Sequence, residues 1–211
     1  MIFITDELGN IEKNILELVE NVGFKDCKTI EAIDLFCGMS EKNDVLKEKD
    51  LYYAFIDIPQ YWGVRADGLN GAIYDNKTKK ANIYFKNPIE KRMVSRVEWI
   101  DRNNTVYRID YYNKYGYKYC SENVNGGNAT VREFYDRNGD INVIEQTGSK
   151  TYTTLGTGIS PRSYRGFTDY LEAYLKSNEI YDENIWLISD EILNKFAGDY
   201  GNFKISHRVV S

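Results

Sequence analysis

Between Ile73 and Tyr152 the chain alternates apolar and polar residues in short runs, each closed by a turn signal. The runs Val94 to Ile100, Val106 to Tyr112, Lys118 to Cys120, Thr130 to Tyr135 and Ile141 to Glu145 follow the two-residue period of strands. One phrase recurs between them: Trp99-Ile-Asp-Arg-Asn-Asn104, Tyr111-Tyr-Asn-Lys-Tyr-Gly116, a degenerate Glu122-Asn-Val-Asn-Gly-Gly127, and Phe134-Tyr-Asp-Arg-Asn-Gly139. The turn ends Asn104, Gly116, Gly127 and Gly139 lie 12, 11 and 12 residues apart. Short strands with turns at this spacing predict an antiparallel meander. Asn and Gly are suited to the turn ends because hairpin turns need φ > 0.

On either side the period changes. Ile2-Phe-Ile4 reads as a short strand. Asn10 can cap a helix to about Val22, with Ile11, Ile15, Leu18, Val19 and Val22 on one face and Gly23 closing it. Lys28 to Phe36 predicts a second strand, and the charged stretch Ser40 to Asp50 a partly helical one. Leu51-Tyr-Tyr-Ala-Phe-Ile-Asp-Ile58 is almost continuously apolar, which predicts a third strand buried on both faces and stopped by Pro59. Tyr61 to Arg65 then leads into the meander. Beyond Tyr152, Gly156 to Pro161 reads as a loop, Thr168 caps a helix to about Ser177, Ile185 to Ile188 is a buried strand, and Asp190 caps a last helix to Ala197. The order is therefore α/β, a long β insertion, and α/β again, divided at residues 1–59, 60–155 and 156–211. The outer parts have too few strands for separate sheets, so one open parallel sheet interrupted by the meander is expected. The abrupt end predicts that a further domain is missing.

Composition narrows the function. The chain has 211 residues, 42% hydrophobic and 28% charged, which suits a folded domain. No stretch reaches the roughly 18 apolar residues of a membrane span. The N-terminus lacks a basic region and an apolar core, so no signal peptide is read and the cytoplasm is the expected compartment. A net charge of −5 argues against nucleic-acid binding. Lys77, Lys79, Lys80, Lys86, Lys91, Arg92, Arg96, Arg102 and Arg108 gather positive charge in the first part of the sheet. They read either as solvated strand faces and edge-blocking lysines or as a docking face for an acidic or polar partner. Cys27, Cys37 and Cys120 lack metal or disulfide spacing and are expected as buried free thiols. The single histidine, His207, stands in no catalytic motif, and multi-histidine metal sites are excluded.

Catalytic signals are weak. Gly156-Thr-Gly158, with Arg162 and Arg165 nearby, could seat a phosphate on backbone N–H groups. It lacks the third glycine of a dinucleotide site and the Gly-Lys-Ser/Thr of a P-loop. Asp57, Asp67, Asp101, Asp110 and Asp136 fall near strand ends or turns, and Asp101 and Asp136 hold equivalent places where an Asx turn is expected. No catalytic residue, cofactor or metal is assigned. The 18 tyrosines carry the stronger signal. With Trp62 and Trp99 they crowd the meander, where some must be core and others offer flat, hydroxyl-bearing contact area for peptides or sugars. Exposed strand edges could also take up an extended peptide.

Four phrases carry a resemblance: Gln60-Tyr-Trp-Gly-Val-Arg65, Lys91-Arg-Met-Val-Ser-Arg-Val-Glu-Trp-Ile-Asp-Arg-Asn103, Asp110-Tyr-Tyr-Asn-Lys-Tyr-Gly116 and Arg132-Glu-Phe-Tyr-Asp-Arg-Asn-Gly139. They resemble the accessory, stabilising subunit of the O-GlcNAc transferase that modifies serine-rich-repeat adhesins exported by the accessory Sec route in Gram-positive bacteria. The likeness is strongest from Leu51 to Leu155. It implies a partial Rossmann-like half of glycosyltransferase B type carrying an extended antiparallel β-sheet domain. It also implies a non-catalytic chain that binds the catalytic transferase subunit and a Ser/Thr-rich adhesin polypeptide, with peripheral membrane association through the complex. Members of that family continue into a second Rossmann-like half, which this sequence lacks. The alternative is the N-terminal fragment of an active UDP-sugar-dependent glycosyltransferase, with Gly156 to Arg165 lining its cleft. On the accessory reading, acceptor or partner contact is expected at Trp62, Arg65, Arg96, Trp99, Tyr111, Tyr112, Tyr115 and Arg132. Alternation puts Tyr111 and Tyr112 on opposite faces, so only one of them can touch a given ligand.

Overall fold

The computed structural model describes residues 2–5, 28–31, 37, 49–148, 152–155, 162–165, 173 and 185–187. A three-stranded parallel sheet joins the two ends of the chain. Its strands are β1 (Ile2–Thr5), β2 (Lys28–Glu31) and β13 (Ile185–Leu187), with β1 in the centre. The pairing of β1 with β13 spans the whole meander, as expected of one sheet interrupted by an insertion. The helices expected at 10–22 and 190–197 lie outside the described residues, as do Cys27 and His207; of the helix expected at 168–177 only Ala173 is described, and it is helical.

The insertion is a ten-stranded antiparallel sheet in simple sequence order: β3 (Trp62–Asp67), β4 (Asn70–Asp75), β5 (Thr78–Phe85), β6 (Val94–Ile100), β7 (Val106–Tyr112), β8 (Lys118–Asn125), β9 (Asn128–Tyr135), β10 (Ile141–Gln146), β11 (Tyr152–Leu155) and β12 (Arg162–Tyr164). The turns form for the reason the repeat predicted. Asn104, Gly116, Gly127 and Gly139 have φ of 61, 83, 81 and 86°. Asp101 Oδ1 accepts the N–H of Asn103 and of Thr105, Asn113 Oδ1 those of Tyr115 and Tyr117, and Asp136 Oδ1 those of Asn138 and Asp140. Three turns thus repeat one Asx geometry. The degenerate phrase behaves differently: Glu122 to Asn125 continue β8, and only Gly126-Gly127 turn.

Two expectations need correction. Leu51 to Ile58 is not a strand. It makes one isolated bridge, Tyr52 to Met93 just before β6, and then a 3-10 turn at Tyr53–Phe55. Its apolar run is explained by packing on one face of the sheet, where Ile56 is buried with Ile73, Ala81, Ile83, Val94 and Val97, and Leu51, Tyr53 and Ile58 flank them. A strap laid over a sheet buries apolar residues as a central strand does, so composition alone could not separate the two. Conversely, β3 to β5 are regular strands that the repeat did not reveal.

The covered face changes along the sheet. Residues opposite one another in an antiparallel pair share a face. Ile73, Ala81, Ile83 and Val97 therefore lie on the side covered by the strap. At the other end the buried residues Cys120, Phe134 and Val143 sit opposite one another on the reverse side. Cys37, also buried, donates its thiol to the Tyr119 carbonyl at 3.6 Å. Neither Cys37 nor Cys120 is in a disulfide, and burial pushes the Cys120 thiol well up.

Candidate binding face

The side of the sheet away from the strap carries two rows of cross-strand neighbours, open over β3 to β7 and mostly buried from β8 onward. One row runs Arg65, Ala72, Asn82, Glu98, Ile109, Glu122, Arg132 and Glu145. The other runs Asn70, Tyr84, Arg96, Tyr111 and Cys120. The polar groups on this side pair with rings and with one another. The Arg65 guanidinium stands 5.0 Å from the centre of the Tyr74 ring, and that of Arg96 stands 4.1 Å from the Tyr84 ring while its Nε donates to Glu98 at 2.9 Å. Arg132 donates to Glu122 at 2.7 Å and to Glu145 at 3.2 Å. Stacked guanidinium–phenol pairs are flat, pre-ordered and amphipathic, as a contact surface for a polar chain requires.

Burial and neighbouring carboxylates set the protonation of this side. Burial, followed by the nearby Glu122 carboxylate, pushes the Tyr111 hydroxyl up to about 12. Burial and then Glu98 raise Tyr84. Burial works against the charge on Arg132, but the hydrogen bond to Glu122 and the two carboxylates outweigh it and raise its pKa. At neutral pH the face therefore presents neutral phenols as donors and acceptors beside fixed charges. Among the described residues no three or more His, Cys, Asp or Glu side chains are placed to hold a metal, and no helix is long and apolar enough to cross a membrane.

The residues expected to make contact divide between two sides. Arg65, Arg96 and Tyr111 lie on the side away from the strap, on β3, β6 and β7, whereas Arg132, six strands from Arg65 on the same side, is held by the buried carboxylates of Glu122 and Glu145. Trp62, Trp99 and Tyr112 point to the strap side and pack against its core. There the Trp62 and Trp99 rings lie 6.3 Å apart, with Lys80 over Trp62 at 5.3 Å. Trp99 Nε1 donates to Asp110 at 2.7 Å, and Ser121 and Arg108 complete that carboxylate's bonds. Tyr111 and Tyr112 face opposite ways, as alternation required. Tyr115 sits in the β7–β8 turn under Lys114. Arg162 and Arg165 are exposed at the far edge of the sheet, and Gly156 to Gly158 lie outside the described residues. Tyr74, Tyr84, Glu98, Glu122 and Glu145 were not singled out. The alternation of β4 and β5 around the Asn76 turn (φ 54°) was the signal that could have found the two tyrosines.

Residues 62–160 match the family model described as the GtfB middle domain. The chain is similar to that family over 99 of its 211 residues. It is also similar to curated proteins described as UDP-N-acetylglucosamine–peptide N-acetylglucosaminyltransferase stabilizing protein GtfB. The one from Streptococcus agalactiae is 26% identical over 129 residues, covering 61% of this chain and 28% of the relative. The one from Limosilactobacillus reuteri is 32% identical over 92 residues, covering 44% and 21%. A solved structure, the GtfA/B complex bound to UDP and GlcNAc, shares the fold with a TM-score of 0.74 at 17% identity over 95% of this chain and 48% of its own. The chain thus spans about half the length of that solved chain, and its matches to these two curated relatives cover less than a third of theirs.

Proposed function

We propose that this chain is a non-catalytic partner of a protein O-GlcNAc transferase. It binds the catalytic subunit and holds a Ser/Thr-rich adhesin polypeptide along the open face of the middle domain, at the cytoplasmic side of the membrane. Residues 60–155 would form the acceptor-binding sheet, together with the strap at 51–58 and β12, which join it, and the remainder of 1–59 and 156–211 the Rossmann-like support. The observation that carries this reading is the GtfB middle-domain match over the same strands that present the stacked Arg65–Tyr74 and Arg96–Tyr84 pairs. An unfolded acceptor offers hydroxyls and peptide groups, which neutral phenols and guanidinium N–H groups satisfy in several registers. No chemistry of the chain's own is needed for that.

The test uses the purified chain, the catalytic transferase and a synthetic Ser/Thr-rich repeat peptide. Expected outcomes are no sugar transfer from UDP-GlcNAc by the chain alone, faster transfer when it joins the transferase, and peptide binding weakened by Arg96→Ala. Loss of a stacked anchor is worth about 1–3 kcal/mol, or roughly tenfold in Kd. Trp99→Ala should instead lower the melting temperature. Sugar transfer by the chain alone would overturn the reading in favour of the glycosyltransferase fragment.

A further inference from the structure

We propose that β3 is a self-pairing edge, at which a second copy of this chain adds its own β3 antiparallel and makes the two sheets continuous. β3 ends the ten-stranded sheet and, among the described residues, pairs only with β4. Its six residue pairs with β4, Trp62↔Asp75 through Asp67↔Asn70, run without a register shift. Six of the other strand pairs in this sheet carry one. Edges of this length are normally blocked by charged side chains, lysine above all, by proline or by a bulge. β3 has no lysine, proline or bulge, and the exposed charge of Arg65 stands across from a glycine when two copies pair. The opposite edge, β12, is only three residues long.

Gly63 gives the edge its specificity. It is exposed, its φ lies outside the left-handed region, and a Cβ placed there would meet nothing within 4 Å. Neither the backbone nor the packing of this molecule asks for glycine at that position. A glycine inside a strand marks a bulge or the close approach of another chain, and there is no bulge here.

A two-fold axis normal to the sheet keeps each face continuous across the junction and makes every contact occur twice. With that axis at Val64, Gly63 lies opposite the partner's Arg65 and Trp62 lies opposite the partner's Ala66. Small residues therefore meet large ones on both faces. The open space over Gly63 receives the guanidinium that Arg65 already carries over the Tyr74 ring. Beyond the strand end, Tyr61, 86% exposed, runs beside the partner's β3–β4 turn, where Leu69 is 71% exposed. The two most exposed apolar side chains at this edge come together in the same register. Pairing of one short strand buries less than a standard interface, so the dimer is reversible and concentration-dependent. It does not depend on the accessory role proposed above.

Sedimentation equilibrium of the whole chain over a concentration series tests this, with circular dichroism to check that each variant is folded. The expected result is a monomer–dimer equilibrium in which amide hydrogen exchange of β3 slows as dimer forms. Gly63→Arg sets arginine opposite arginine twice and should raise the dimer dissociation constant roughly tenfold. Adding Arg65→Glu to that variant should restore the dimer by opposing unlike charges. A chain that stays monomeric at every concentration overturns the proposal, even if its edge pairs with the transferase instead. So does a dimer whose strength Gly63→Arg leaves unchanged, or one that Arg65→Glu fails to restore.

Discussion

The carboxylate of Asp110 shows how one residue can fix a sheet. It is 2% exposed, yet Trp99, Arg108 and Ser121 all donate to it from three neighbouring strands. A buried charge is tolerated only when it is bonded in this way. Asp110→Ala leaves an indole N–H, a hydroxyl and a guanidinium short of an acceptor. It should cost on the order of 2–3 kcal/mol of stability, because hydrogen bonds to charged groups are the strong ones. Urea denaturation followed by tryptophan fluorescence measures the loss. Asp110→Asn keeps the shape and part of the bonding, so it should fall between Asp110→Ala and the parent. In the sequence, Asp110 was indistinguishable from the aspartates of turns. What sets it apart is the cross-strand register, which puts Val97, Asp110 and Ser121 in line and which no local window contains.

At the scale of elements, the turns were the most legible part of the chain. Asp101, Asn113 and Asp136 act within four residues of themselves, so sequence spacing is sufficient to find them. The strap was the least legible, because its apolar run is used against a distant surface. One turn joins the two. Gly116 approaches the strap's start so closely that a Cβ would lie 2.6 Å from the Lys49 carbonyl oxygen, whereas at Gly139 a Cβ would meet nothing within 4 Å. Lys49 N–H also bonds the Lys114 carbonyl, and Lys86 bridges Asp50 and the Asn113 carbonyl. Gly139→Ala should therefore cost only the left-handed backbone penalty, about 1–2 kcal/mol. Gly116→Ala carries that penalty and a clash with backbone, and should cost clearly more. Thermal melts of the two variants side by side make the comparison.

For the whole molecule, the tyrosines set an alkaline limit. Burial holds the Tyr111 and Tyr135 phenols neutral up to about 12, and raises Tyr112 as well. Below pH 10, the ordinary tyrosine value, folded and unfolded chains bind the same phenolic protons and nothing is lost. Above it the unfolded chain releases protons that the folded chain retains, so stability falls with pH until the folded phenols ionise near 12. Circular dichroism against pH should show unfolding in that window, and Tyr111→Phe should move the midpoint upward. The meander and the parallel pairing around it were legible because each rests on periodicity or turn chemistry. The division of Trp62, Trp99 and Tyr112 from Arg65, Arg96, Tyr111 and Arg132 was not, because it depends on which face is covered, and that face changes along the sheet.

The change of covered face bears on how such a chain can vary over generations. A one-residue slip of a strand turns its side chains to the opposite face. Here a slip carried along the ladder would bring out Ile83 and Val97 at one end and Phe134 and Val143 at the other. A single-residue insertion therefore survives only where it is absorbed before reaching the next strand. The register shifts between β4 and β10 are such places, each holding one residue out of step. Length changes in descendants should collect at them, leaving both ends of the sheet in phase.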